Sequence, residues 1–261
     1  MCLSSHRITI PTDTESRRGS MGRVLLWIII VVVIIAGLVA WLAPSTPLGG
    51  VDTRTRDGRV IAYIRGAENY PEWAVKAGTR CGNAPFLLPT DGFIGYLWDD
   101  SFRPGHRHSG IDVFGGGEIG ITPVVAAVDG YLTRMPDWKS SVIIRLPEDP
   151  LMPGRQIWTY YTHMASPNGD SLIAADFPPG TTELFVPAGT LLGYQGNFSG
   201  TPGSPTGVHL HFSIVLDDGQ GRFLNELDIN NTLDPSPYLG LNLNAHTNVD
   251  EIPLCPNGED S

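Results

Sequence analysis

Val208 to Leu216 reads VHLHFSIVL. The run is rich in β-branched and aromatic residues, which suit a pleated strand. In a strand, residues i and i+2 point to the same face, so His209 and His211 can both aim into one cavity. Working outward, the same grammar recurs in GIDVF (110–114), PVVAAVDGYL (123–132), SSVIIRL (140–146), QIWTYYTHM (156–164), ELFVPAG (183–189) and TLLGYQG (190–196). Short β-branched runs of this kind, separated by turn formers, predict a mostly β, antiparallel domain. With 31 Gly and 22 Pro the chain has turn residues in abundance. Past residue 80 no segment keeps apolar spacing at i, i+3, i+4 and i+7 over a helix length. No internal repeat is visible.

Five of the seven histidines fall in three short motifs: GHRHSGID (105–112), TYYTHM (159–164) and GVHLHF (207–212). Such clustering points to a metal or proton-transfer site. His108 and Asp112 are separated by three residues across a glycine-containing turn, and can converge as an imidazole nitrogen and a carboxylate oxygen. His211 can supply a third donor. Three protein ligands leave the fourth position of a tetrahedral zinc site open to water, the mark of a catalytic rather than a structural ion. His106, two residues before His108, is a competing ligand. No H-E-x-x-H occurs, so there is no helix-borne glutamate for the proton, and a neutral imidazole with a pKa near the working pH can replace it.

H-x-G-x-D, Y-x-H and H-x-H, in that order, resemble the signature of lysostaphin-like, or LytM-like, zinc metallopeptidases. ITPVVAAVDGYL (121–132) and VPAGTLLGYQGNFSG (186–200) resemble further strand pairs of that family, so the likeness runs over roughly residues 88 to 216. It implies that His108, Asp112 and His211 hold one zinc ion per chain and that His163 and His209 are the catalytic pair. It also implies a two-layer antiparallel β domain with an open groove over the zinc site, and peptidoglycan peptide as the substrate. The implied activity is a zinc-dependent endopeptidase, with water acidified by the metal toward a pKa of about 7. The alternative is a catalytically silent wall-binding scaffold, or an activator of another wall hydrolase; the chain keeps all five site residues. Ser166 to Phe185 departs from the family pattern as an insertion that could reshape one wall of the groove.

Two weaker matches carry less. GGGEIG (115–120) formally fits G-x-G-x-x-G, but the β-branched run after Pro123 continues as strand, so a turn is expected rather than a dinucleotide loop. Asn197-Phe-Ser199 and Asn230-Asn-Thr232 fit the glycosylation acceptor pattern, which short polar turns often produce.

Val24 to Ala43, VLLWIIIVVVIIAGLVAWLA, is 20 residues without a charge. At 1.5 Å per residue it spans roughly 30 Å of hydrocarbon, and it reads as one N-terminal transmembrane helix. A cleavable signal peptide beginning at Met21 is the alternative. Arg7, Arg17, Arg18 and Arg23 precede the span, and a positive flank tends to stay in the cytoplasm, so the remainder is expected outside. The division that follows is a cytoplasmic tail (1–23), the anchor (24–43), a linker and juxtamembrane segment (44–80), the zinc metallopeptidase domain (81–240) and a C-terminal tail (241–261). Within the juxtamembrane segment, Val60 to Ile64 looks strand-like and a short helix is possible around Pro71 to Lys76. A net charge of −10 and a pI near 5.0 repel phosphate backbones, so no nucleic-acid partner is expected. Cys81 and Cys255 both fall in the exported part, where a bridge can form, two unpaired thiols being the alternative.

Overall fold

The computed structural model describes residues 51–100, 105–241, 245–246 and 251–255. The expected cytoplasmic tail and transmembrane run at Val24–Ala43 lie outside the described residues; among those described, no helix is long and apolar enough to cross a membrane.

Among the described residues eleven short strands carry the fold: β1 (Ala74–Val75), β2 (Gly92–Tyr96), β3 (Ile111–Phe114), β4 (Pro123–Val125), β5 (Gly130–Thr133), β6 (Val142–Leu146), β7 (Ile157–Thr162), β8 (Leu184–Val186), β9 (Leu191–Tyr194), β10 (Leu210–Leu216) and β11 (Thr232–Leu233). Nine of them form one sheet in the order β1-β2-β3-β10-β7-β6-β5-β8, with β11 added against β10. All its pairings are antiparallel. β4 and β9 pair separately.

Alternation along the strands gives the large sheet two different faces. Ile111, Val113, Val142, Ile144, Ile157, Tyr161, Leu210, Phe212 and Ile214 point one way, into a core that also takes Val124 and Leu192 from the two-stranded sheet. Burial of such side chains contributes roughly 1.5–3 kcal/mol each. Tyr161 is fully buried there, and its hydroxyl accepts a hydrogen bond from the Ala127 amide at 2.9 Å. The tyrosine of Y-x-H is thus a core residue that faces away from the histidines. The opposite face carries Asp112 and His211 at one end, and at the other an apolar cluster of Ile143, Trp158 and Val215.

Val60–Ile64 is helical, contrary to its strand-like reading. It lies within α1 (Arg56–Arg65), whose N-cap Thr55 accepts a hydrogen bond from the Gly58 amide. Asp57 in the first turn and Arg65 in the last complement the helix dipole. Five residues of β-branched character cannot distinguish a strand from one face of a helix, and here the cap decides. Val60, Ala62 and Tyr63 are buried while Ile61 and Ile64 stay half exposed. The expected helix near Pro71 is a single 3₁₀ turn, Pro71–Trp73, leading into β1. Val60, Tyr63 and Trp73 pack with Phe93 and Phe114, so the segment read as a linker lies against the sheet.

The Ser166–Phe185 insertion also differs from its reading. Ile173 and Phe177 are buried in the core. Arg134 holds the insertion through bonds to the Phe177 carbonyl at 2.8 Å and the Ser171 hydroxyl at 2.9 Å. It contributes no lining residue to the cleft described below. GGGEIG forms a loop between β3 and β4, held by the Gln195 side chain on the Gly115 amide and the Gln195 carbonyl on the Gly120 amide.

Cys81 and Cys255 form a disulfide, with Cα atoms 5.0 Å apart across a sequence separation of 174 residues. Closing so long a loop restricts the unfolded chain. Cys255→Ser should therefore lower stability by about 2–5 kcal/mol in chemical denaturation under oxidising conditions, and a reductant should abolish the difference between the variant and the parent.

Candidate metal centre

Register builds the centre. His211 on β10 stands directly opposite Asp112 on β3 and, on its other side, opposite Thr162 at the end of β7. His163 follows Thr162 immediately and turns out of the strand with φ at 71°, a conformation that costs non-glycine residues energy and recurs at functional sites. His209 precedes β10 and bridges to Gly196. His108 arrives on the loop before β3, pinned by its amide to the Asp100 carbonyl and by its carbonyl to the Asp99 amide. Gly110 makes that approach possible. A Cβ there would lie 2.3 Å from the Phe212 carbonyl oxygen, so the glycine of H-x-G-x-D is required by the passage of β10.

Three donor atoms converge. His108 Nε2 lies 3.0 Å from Asp112 Oδ1 and 3.0 Å from His211 Nδ1, and the last two are 2.9 Å apart. Donors 2.0–2.1 Å from a tetrahedral ion would be roughly 3.4 Å apart, so the spacing is close to that of a bound metal. The protonation pattern points the same way. His108 Nδ1 donates to the Leu97 carbonyl at 3.0 Å, which leaves Nε2 of the neutral ring a lone pair facing a carboxylate. In the metal-free site a proton on Nε2 fills that contact as a hydrogen bond to Asp112, and a metal ion would take the proton's place. Burial alone would raise the Asp112 carboxyl, but the charge of His108 and hydrogen bonds from His108 and His211 hold it well below the usual range. Burial pulls the His108 pKa down, yet Asp112 outweighs it and the net shift is upward. An anionic oxygen and two imidazole nitrogens form a donor set suited to zinc, and His108, Asp112 and His211 are the group of metal-type donors that the described residues bring together. His106 stands apart from it, its ring centre 6.4 Å from that of His108.

The other two histidines flank the donors. His163 Nδ1 donates to the Phe198 carbonyl at 2.7 Å, and His209 Nδ1 donates to the Gly207 carbonyl at 2.7 Å. In each neutral ring Nε2 therefore keeps a lone pair, and that of His209 is 3.6 Å from Asp112 Oδ1. The two ring centres are 4.5 Å apart. Burial, with His209 and His211 nearby, lowers the His163 pKa to about 3; burial also lowers that of His209. Both rings are neutral at neutral pH.

The five residues line one cleft of about 590 Å³. Its walls come from segments outside the histidine motifs. Val60 and Ile64 come from α1, Phe198 to Gly200 from the loop after β9, and Glu226 and Leu227 from the loop after β10. Phe114 stacks on His209 with ring centres 5.0 Å apart. Arg56 pairs with Asp100 at 2.5 Å and the Tyr96 hydroxyl donates to Asp57 at 3.1 Å. The start of α1 is thereby tied to the loop that carries His108.

The sequence matches no protein-family model and no curated protein. Among solved structures, the chain is similar to the antimicrobial peptidase lysostaphin from Staphylococcus simulans, at 24% identity and a TM-score of 0.36, over 57% of this chain and 49% of that one. It thus spans about half the length of lysostaphin. The isolated catalytic domain of lysostaphin is similar at 20% identity and a TM-score of 0.35, over 60% of this chain and 92% of that one. The catalytic domain of the prophage-encoded M23 protein EnpA from Enterococcus faecalis is similar at 20% identity and a TM-score of 0.33, over 57% and 95% of the two chains. These proteins come from the peptidase group that the sequence motifs resemble. TM-scores this low describe a likeness of broad outline, and the chemistry of the centre rests on its own donors.

Because His163 stays neutral in the folded protein down to a pKa of about 3, whereas an unfolded histidine takes up its proton near 6.5, acid favours the unfolded chain. In metal-free protein this contribution is absent above about pH 6.5 and grows as pH falls toward 3, by up to about 1.4 kcal/mol per pH unit. Urea midpoints of His163→Asn should accordingly fall less steeply than those of the parent between pH 6.5 and 4.5. Parallel curves would mean that His163 is not held neutral.

Proposed function

We propose that this protein is a zinc-dependent endopeptidase that hydrolyses peptide cross-links of bacterial peptidoglycan. The observation that carries this reading is the convergence of His108, Asp112 and His211 beside two imidazoles whose Nδ1 protons are already committed to carbonyl groups. Bound by those three donors, zinc would supply a Lewis acid for a peptide carbonyl and would make a water molecule acidic enough to attack it near neutral pH.

The chain's own residues supply positioning and proton transfer. An extended peptide fits a cleft whose floor is polar: Tyr160, Ser141 and Thr162 hydrogen-bond to one another, with the Tyr160 hydroxyl donating to Ser141 at 2.9 Å and Ser141 and Thr162 oxygens 2.7 Å apart. Val60, Ile64 and Leu227 offer it an apolar rim. His163 and His209 each keep an unprotonated Nε2, and that of His209 lies 3.6 Å from Asp112 Oδ1. The pair takes a proton from the attacking water and returns it to the amine nitrogen of the leaving half, so the C–N bond breaks and a carboxylate and an amine remain. Fixing both rings through Nδ1 also fixes their orientation, which matters because misplacement by about 1 Å can cost a factor of 100.

We further propose that the chain is a single-pass membrane protein anchored by Val24–Ala43, with the catalytic domain outside the cytoplasm. The uncharged run and its arginine flank support this. So does the Cys81–Cys255 bridge, since disulfides persist outside the reducing cytoplasm.

Purified peptidoglycan incubated with the full-length protein should release peptides with new termini, detected by mass, and a zinc chelator should stop the release. His211→Ala should lose both zinc and hydrolysis. His163→Ala and His209→Ala should keep zinc while hydrolysis drops by a factor of about 100 to 10,000. Intact peptidoglycan, with zinc bound and the cleft unaltered, would point to a wall-binding scaffold instead.

A further inference from the structure

We propose that Glu226 is a positioning residue that holds His211 in the tautomer and orientation required of a metal ligand. The inference rests on the metal reading of the preceding subsection and concerns a residue outside its motifs. A neutral imidazole carries one N–H. Since His211 Nδ1 points at His108 Nε2 and Asp112 Oδ1, a ring that binds metal through Nδ1 must carry its proton on Nε2. That Nε2 is buried and has no hydrogen-bond partner. A buried donor left without an acceptor costs about 1–3 kcal/mol. The carboxylate facing it is Glu226, with Oε2 at 3.8 Å.

The gap is slightly too long for a hydrogen bond, and little holds the glutamate back. Its side chain is 20% exposed, and its other contact in the centre is a long bond from the Ser109 hydroxyl at 3.4 Å. A hydrogen bond would need the two atoms to approach by roughly 0.6–1 Å. Its backbone is steadier: the Leu224 amide bonds the Leu216 carbonyl, the Asn231 side chain bonds the Asn225 carbonyl at 2.9 Å, and the Asn225 side chain accepts from the Leu227 amide at 3.2 Å. The loop after β10 thus returns Glu226 to the very strand that bears His211. A carboxylate on the far nitrogen of a ligating imidazole fixes the ring and makes its metal-facing nitrogen more basic. Glu226 needs no contact with substrate for this role.

Zinc affinity measured by competition against a chromogenic chelator tests the assignment in the full-length chain. Glu226→Ala should weaken zinc binding by about 100-fold and Glu226→Gln, which keeps an acceptor but not the charge, by about 10-fold. The melting temperature of the metal-free protein should stay close to that of the parent in both. If Glu226→Ala fails to fold, the nearly isosteric Glu226→Gln decides by itself. Unchanged zinc affinity in the folded variants would overturn the proposal, and a rise in KM with zinc affinity intact would show that Glu226 binds substrate instead. A parent protein that takes up no zinc would overturn the metal reading and this inference together.

Discussion

The centre depends on a single register. Asp112 and His211 face each other across β3 and β10, and because side chains alternate along a strand, a slip of either strand by one residue would send its donor into the apolar core. The core enforces the pairing from the other side: Ile111, Val113, Leu210 and Phe212, which flank the two donors in sequence, are almost fully buried. Packing on one face of the sheet therefore fixes the chemistry on the other. The cost of a misplaced strand is paid in exposed hydrocarbon as well as in lost donors.

The polar face is stable because its hydrogen-bonding groups are divided between two tasks. For His108, His163 and His209 the Nδ1 proton goes to a backbone carbonyl, of Leu97, Phe198 and Gly207 respectively. Each bond anchors a ring to a loop and frees the opposite nitrogen for the cleft. Carbonyls at loop positions thus decide which nitrogen is basic, although no side chain announces them. His211 alone reverses the pattern by turning Nδ1 inward, and so it is the ring whose outer nitrogen calls for a carboxylate.

Much of this was legible in the sequence. Strand positions followed from β-branched runs between turns, and the i, i+2 spacing of His209 and His211 put both on one side of the sheet. Other features were not legible because their cause is tertiary. Val60–Ile64 has strand-like composition, and only the Thr55 cap and the packing of Val60 and Tyr63 against Phe93 and Phe114 make it helical. Glu226 sits in a polar loop with no periodicity, so only the fold brings it to His211. The 166–185 insertion reads in sequence as a stretch that could reshape one wall of the groove, and Ile173 and Phe177 draw it into the core. In Y-x-H, strand parity sends Tyr161 inward and leaves the cleft to Tyr160.

Helix α1 makes the cleft a composite of two parts of the chain that answer to different constraints. The donors are confined by register, by Gly110 and by tautomer, so almost any change among them is disabling. Ile64, on the cleft wall, is 44% exposed, and substitutions at exposed positions usually cost folding little. The wall is therefore the part free to drift. A few substitutions along α1 could recast the groove while leaving the three converging donors as they stand.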